Sequence, residues 1–280
     1  MSRCTRRLRV ALVCAMLAGL LPSEVSAQAI LLRLRPRVGD TLRTRLEQQM
    51  ETSGSLASGA GLTMKPVATS VMLSARTIVQ QSLATSTVVL TIVDSVTVHT
   101  SDAHATTQVA DAENRLRGQQ LSMRLAADGT VESARDARGS AVSVDLAQSM
   151  SSMPAVFPQQ AVSVGEQWMR EMPLPAGGSL GARGAGHVIA AFRLDSVSRG
   201  GGIAYLSMQG DIRPDAGNQG LDVSGTVTGS MQIDRVRGWL TESRFTIVLR
   251  SLVTPPAATG YAAMRLVTRV TQRLRTMDKR

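Results

Sequence analysis

Hydrophobic and polar positions alternate with period two along most of this chain. The clearest stretch is 225–253, GTVTGSMQIDRVRGWLTESRFTIVLRSLV. In its second arm Trp239, Phe245, Ile247 and Leu249 share one parity, against Glu242, Arg244, Thr246 and Arg250 on the other. Successive side chains of a strand point to opposite faces, so this pattern predicts a strand with one dry and one wet face. Val227, Met231 and Ile233 repeat the rule in the first arm, and 234–238 supplies the turn of a hairpin.

The same grammar recurs from the start. Leu42, Leu46 and Met50 oppose Arg43, Arg45, Glu47 and Gln49, and the glycine-rich run 52–62 reads as a loop. Runs 71–79 and 88–98 follow, the second with Val88, Leu90, Ile92, Val96 and Val98 on its apolar face. The polar run 102–117 reads as a long loop or a weak helix. Leu121, Met123 and Leu125 lead into the turn dipeptide Asp128-Gly129 and out through Val131. In 140–153, Val142, Leu146 and Met150 recur at helical spacing before Pro154, which predicts one short helix covering the sheet. Strand patterns resume at 168–172, at Val188, Ala190, Phe192 and Leu194, and at 203–208, with 211–222 rich in turn residues. A last strand is expected over 262–276, where Met264, Leu266, Val270 and Leu274 lie opposite Arg265, Arg269, Arg273 and Arg275. The predicted fold is mainly β, a large curved antiparallel sheet or half-barrel.

The N-terminus is different. Arg3, Arg6, Arg7 and Arg9 precede a short apolar run, 10–21, and Val25-Ser26-Ala27 offers small residues for cleavage. That is the plan of a signal peptide, 1–27, which leaves one β-rich domain, 28–280, exported to the periplasm or the outside. Both cysteines, Cys4 and Cys14, leave with it, so no disulfide is expected. Loss of four arginines and Glu24 lowers the formal net charge from +10 to +7. Export makes nucleic acid an unsuitable partner for that charge. With 2% aromatic residues the chain lacks the girdles of an outer-membrane barrel, and it is not expected to be an integral membrane protein.

Short signatures occur twice in the same order. Val38-Gly39-Asp40 is echoed by Val164-Gly165-Glu166, Asp94-Ser95-Val96 by Asp195-Ser196-Val197, and Ser122-Met123-Arg124-Leu125 by Ser230-Met231-Gln232-Ile233. An internal duplication with halves 28–139 and 155–253, joined by helix 140–153, and independent β-turn grammar both account for this order. The order of VGD-x-Leu, DSV, DG-x-Val and the run 158–168, PQQAVSVGEQW, resembles a family of uncharacterised secreted bacterial proteins. The resemblance implies a β-rich exported domain and brings no activity or catalytic residues. A looser similarity, of architecture only, is to the periplasmic lipoprotein carriers, whose curved sheet holds an acyl chain against a helical cover.

Motifs for chemistry are sparse. His99, His104 and His187 lack the spacing of a metal site, and no Gly-x-Ser-x-Gly elbow occurs. Gly181, Gly184 and Gly186 lack the strand–loop–helix setting of a phosphate loop. No enzyme activity, cofactor or metal is expected. Two uses remain. One is holding an apolar or amphiphilic small molecule on a face made of Trp168, Phe192, Met231, Trp239 and Phe245, residues that serve equally as plain core. The other is an envelope structural or interaction role, in which Arg265, Arg269, Arg273 and Arg275 meet anionic lipid or an envelope protein.

Overall fold

The alternating runs pair into one antiparallel sheet of eleven strands in a computed structural model, which describes residues 29–56, 63–137, 156–173, 186–214, 221–254 and 262–277. In chain order the strands are β1 (Thr41–Leu56), β2 (Thr63–Ser82), β3 (Ser86–Thr100), β4 (Gln120–Ala126), β5 (Val131–Asp136), β6 (Gln167–Pro173), β7 (Gly186–Val197), β8 (Ile203–Pro214), β9 (Leu221–Asp234), β10 (Trp239–Val253) and β11 (Met264–Met277). Their order across the sheet is β5-β4-β3-β2-β1-β11-β10-β9-β8-β7-β6. The sheet is curved and not closed. Because every neighbour is antiparallel, β5 and β6 at its two edges run in the same direction.

The large curved antiparallel sheet expected from the alternation is therefore present, with some boundaries moved. The run 52–62 is not all loop, since β1 continues to Leu56, and 211–214 belongs to β8. Neighbouring strands supply the backbone partners that local composition does not advertise. The polar run 102–117 is a short 3₁₀ turn (Ala103–Ala105) leading into helix α1 (Thr106–Leu116). Asp102 caps it by accepting from the His104 N–H at 2.9 Å. Helix α1 lies beside the second half of β3, where Glu113 accepts the Val98 N–H at 2.6 Å. The predicted helix 140–153 and the signal 1–27 lie outside the described residues.

In β3 the expected apolar face is corrected. Val88, Leu90 and Ile92 are half-buried, whereas Val89 and Val93 are buried, and Val96 is buried again beyond them. The reason is a bulge: Ser74 pairs with Ser95 and Ala75 with Val93, so Asp94 is left over and the inward parity changes there.

Two of the three sequence echoes fall on geometrically matching places. Gly39 and Gly165 both have positive φ, 87° and 91°, in turns that launch β1 and β6. Gly39 donates to the Val79 carbonyl and Gly165 to that of Leu194. From those two residues the registers run in parallel: Val79–Val89–Met123–Ala134 across β2 to β5, and Leu194–Leu206–Met231–Ser243 across β7 to β10. One register shift follows directly after Val79 and after Leu194, and another skips Glu132 in β5 and Thr241 in β10. The DSV echo is different. Asp94 and Asp195 are both bulge residues, but they stand on β3 and β7, and register matches Asp195 with Gln80.

Two apolar clusters fill the inward face. One takes Val79, Val89, Leu121, Met123, Leu125 and Val131 from β2 to β5. The larger is built on β7 to β9 and is covered by Ile30, Leu32, Phe157 and Val162 from two extended segments. Those segments are tied together by an Ile30–Val162 bridge, and to the β4–β5 turn by Leu34 N–H to Ala127 O at 2.8 Å and Phe157 N–H to Asp128 O at 3.1 Å.

Candidate functional site: two faces of the sheet

The residues expected on an apolar binding face are only partly brought together. Trp168, Phe192, Met208, Gly229 and Phe245 stand opposite one another in a single row across β6 to β10. Trp168 and Phe192 stack with ring centroids 5.8 Å apart, and the indole N–H donates to Val156 O at 3.0 Å. A Cβ on Gly229 would fall 2.3 Å from the Phe245 ring, so the ring lies over the bare glycine backbone. Met231 sits in the adjacent row. Phe192 is 1% exposed and Met231 2%, both inside the larger cluster. Trp239 is elsewhere: it precedes the Thr241 bulge and packs against the first cluster, while Phe245 packs against the second.

Between the clusters, over β1 and β11, the inward face changes character. Leu46, Met50, Val270 and Leu274 are only half-buried there. They alternate with polar residues, Gln48 opposite Gln272 and Thr52 opposite Thr268, whose hydroxyls are 3.1 Å apart.

The outward face carries the charge. Arg265, Arg269, Arg273 and Arg275 all lie on the outward parity of β11, spread along about 34 Å of strand at 3.4 Å per residue. The tertiary pairing divides them. Arg265 stands between Ser55 and Leu252, and Arg269 between Glu51 and Val248. Arg273 and Arg275 instead join Arg244 around one carboxylate. Glu242 Oε1 accepts from Arg273 Nη2 at 2.8 Å, Arg244 Nε at 3.0 Å and Arg275 Nε at 3.4 Å. Next to them β1 and β2 bring Arg43, Arg45 and Arg76, which with Asp94, Ser74 and Met277 line an open cleft of about 410 Å³. Arg45 pairs with Glu47 at 2.9 Å and Arg76 with Asp94 at 2.8 Å.

Sequence reasoning missed Arg43, Arg45, Arg76 and Arg244 as companions of the β11 arginines. Alternation put Arg43, Arg45 and Arg244 on wet faces, but no local signal says that β1 lies next to β11, at the opposite end of the chain.

The histidines stay apart. His99 is on β3, His104 in the 3₁₀ turn, and His187 on β7 with Nε2 3.9 Å from Glu171. Among the described residues no group of three or more potential ligands could hold a metal ion.

Residues 139–240, from before β6 to the start of β10, match a family of unknown function (DUF6263). This agrees with the resemblance to an uncharacterised family, and the run 158–168 lies inside the match. No curated protein matches the chain. Among solved structures, the outer membrane protein OprG from Pseudomonas aeruginosa aligns at 8% identity over 88% of this chain and 99% of that one, with a TM-score of 0.15. At that score the likeness carries no argument about fold or location. Among the described residues no helix is long and apolar enough to cross a membrane.

Proposed function

We propose that this is an exported, non-catalytic β-protein of the cell envelope that works by contact, its outward face meeting an anionic surface. The observation that carries the reading is the imbalance on that face. Arg244, Arg273, Arg275, Arg43, Arg45 and Arg76 are neighbours in the sheet, and among the described residues only Glu242, Glu47 and Asp94 answer them. Clustered charge of one sign attracts a partner of the other, with strength that falls as salt rises. The signal-like N-terminus supports placement in the envelope, and the matched registers of β1–β5 and β6–β10 support a duplicated scaffold. The test is sedimentation with anionic vesicles. The protein should pellet with them at low salt, and replacing Arg265, Arg269, Arg273 and Arg275 by glutamine should reduce pelleting. Equal pelleting of the two proteins would refute the contact.

A second reading, an apolar or amphiphilic small molecule held on the inward face, is favoured by the half-buried Leu46, Met50, Val270 and Leu274. The aromatic row does not support it, since Phe192 already sits in packed core. Delipidated protein that takes up a fluorescent fatty acid would favour this reading, and no uptake would dismiss it.

A further inference from the structure

Three arginine pairs stand directly opposite one another on adjacent strands: Arg244 with Arg273, Arg275 with Arg45, and Arg43 with Arg76. The pairs step diagonally across β10, β11, β1 and β2, one strand at a time. Directly opposed like charges destabilise a sheet, so three in succession call for a compensating anion. The protein's own carboxylates answer only in part. Glu242 serves three guanidinium groups, Glu47 and Asp94 serve one each, and among the described residues Arg43 has no carboxylate partner. All six side chains lie on the face away from both apolar clusters. Arg244, Arg45, Arg275 and Arg76 keep 41–60% of their side chains exposed. Two exposed methionines adjoin the stripe: Met277 opposite Arg43, at 51% exposure, and Met72 opposite Glu47, at 43%.

We propose that this diagonal stripe is the contact for an anionic lipid bilayer, with pairs of opposed arginines receiving headgroup phosphates and Met72 and Met277 resting among the headgroups. The proposal rests on the surface-contact reading above and moves its centre from the length of β11 to the stripe. The chemistry fits. A guanidinium presents a planar fork of donors that binds phosphate oxygens two at a time, and each basic residue near an anionic leaflet adds to the attraction. A bilayer rather than a soluble polyanion is indicated by the two exposed methionines beside the charge, Met72 with its sulfur accepting from Arg45 Nη2 at 3.0 Å.

The test uses the full chain and vesicles of phosphatidylcholine with and without phosphatidylglycerol. Arg43→Gln/Arg45→Gln/Arg76→Gln leaves all four β11 arginines in place, and Arg265→Gln/Arg269→Gln leaves the whole stripe in place. The triple variant should bind anionic vesicles about tenfold or more weakly, and the double variant close to wild type. The reverse ranking would overturn the stripe while leaving the surface-contact reading standing. A wild-type protein that does not distinguish the two vesicles would sink both. Competition by free glycerol phosphate at millimolar levels would assign the stripe to a small soluble anion and overturn the lipid assignment. Should the triple variant unfold, Arg43→Gln alone decides: vesicle binding weakened several-fold with no fall in the melting temperature supports the stripe, and unchanged binding overturns it.

Discussion

At the scale of single residues, the two faces obey opposite rules. Inward, space is the constraint. Gly229 gives up its side-chain volume to the Phe245 ring, and a Cβ there would also lie 2.6 Å from Arg244 O. Gly229→Ala should cost about 1–3 kcal/mol, the usual penalty of overpacking, read as a lowered urea midpoint. Phe192→Ala, at 1% exposure, should cost about 3–5 kcal/mol through the cavity left between Trp168 and Met208. Outward, charge is the constraint. Arg43→Gln removes one of two directly opposed guanidinium groups, so stability should hold or rise by about 0.2–1 kcal/mol. A clear fall in the thermal midpoint of that variant would mean that Arg43 is structural. The sequence displayed both classes of residue through parity. It could not show that Phe245 lies over a glycine, because that contact joins residues sixteen apart only once the hairpin register is set.

At the scale of elements, the departures from simple alternation come from bulges and edge cover. Asp94 is skipped by the β2–β3 ladder, and the inward parity changes there from Val93 to Val96. A period-two reading of 88–98 therefore chose Val88, Leu90 and Ile92 correctly as one face and wrongly as the buried one. Beyond that bulge, β4 no longer pairs with β3, and α1 takes the vacated side. The Glu113 carboxylate accepting the Val98 N–H makes the helix part of the sheet edge. Glu113→Ala should destabilise by about 1.5–3 kcal/mol, the scale of a lost hydrogen bond to a charged group. Hydrogen exchange should locate the loss, with the Val98 amide exchanging faster than that of Val89. Equal protection of both would remove α1 from that role.

At the scale of the whole molecule, β11 is the join. It pairs along its length with β1 on one side and β10 on the other, and so connects the β1–β5 and β6–β10 halves of the sheet. Truncation after Val253 would leave two five-stranded sheets with separate apolar clusters. Such a protein should lose its single cooperative thermal transition, and limited proteolysis should cut it within β1 and β10. A retained single transition would show that the covering segments 29–35 and 156–162 suffice to hold the halves together. By itself the sequence determined the β class, most strand positions, the central hairpin and the outward parity of the β11 arginines, because each is written in short-range alternation and turn residues. Tertiary structure alone decided which strands are neighbours, where the bulges change the buried face, and that arginines from both ends of the chain meet in one stripe. Pairing between β1 and β11 depends on surface shared by residues more than two hundred positions apart, and no local pattern encodes that distance.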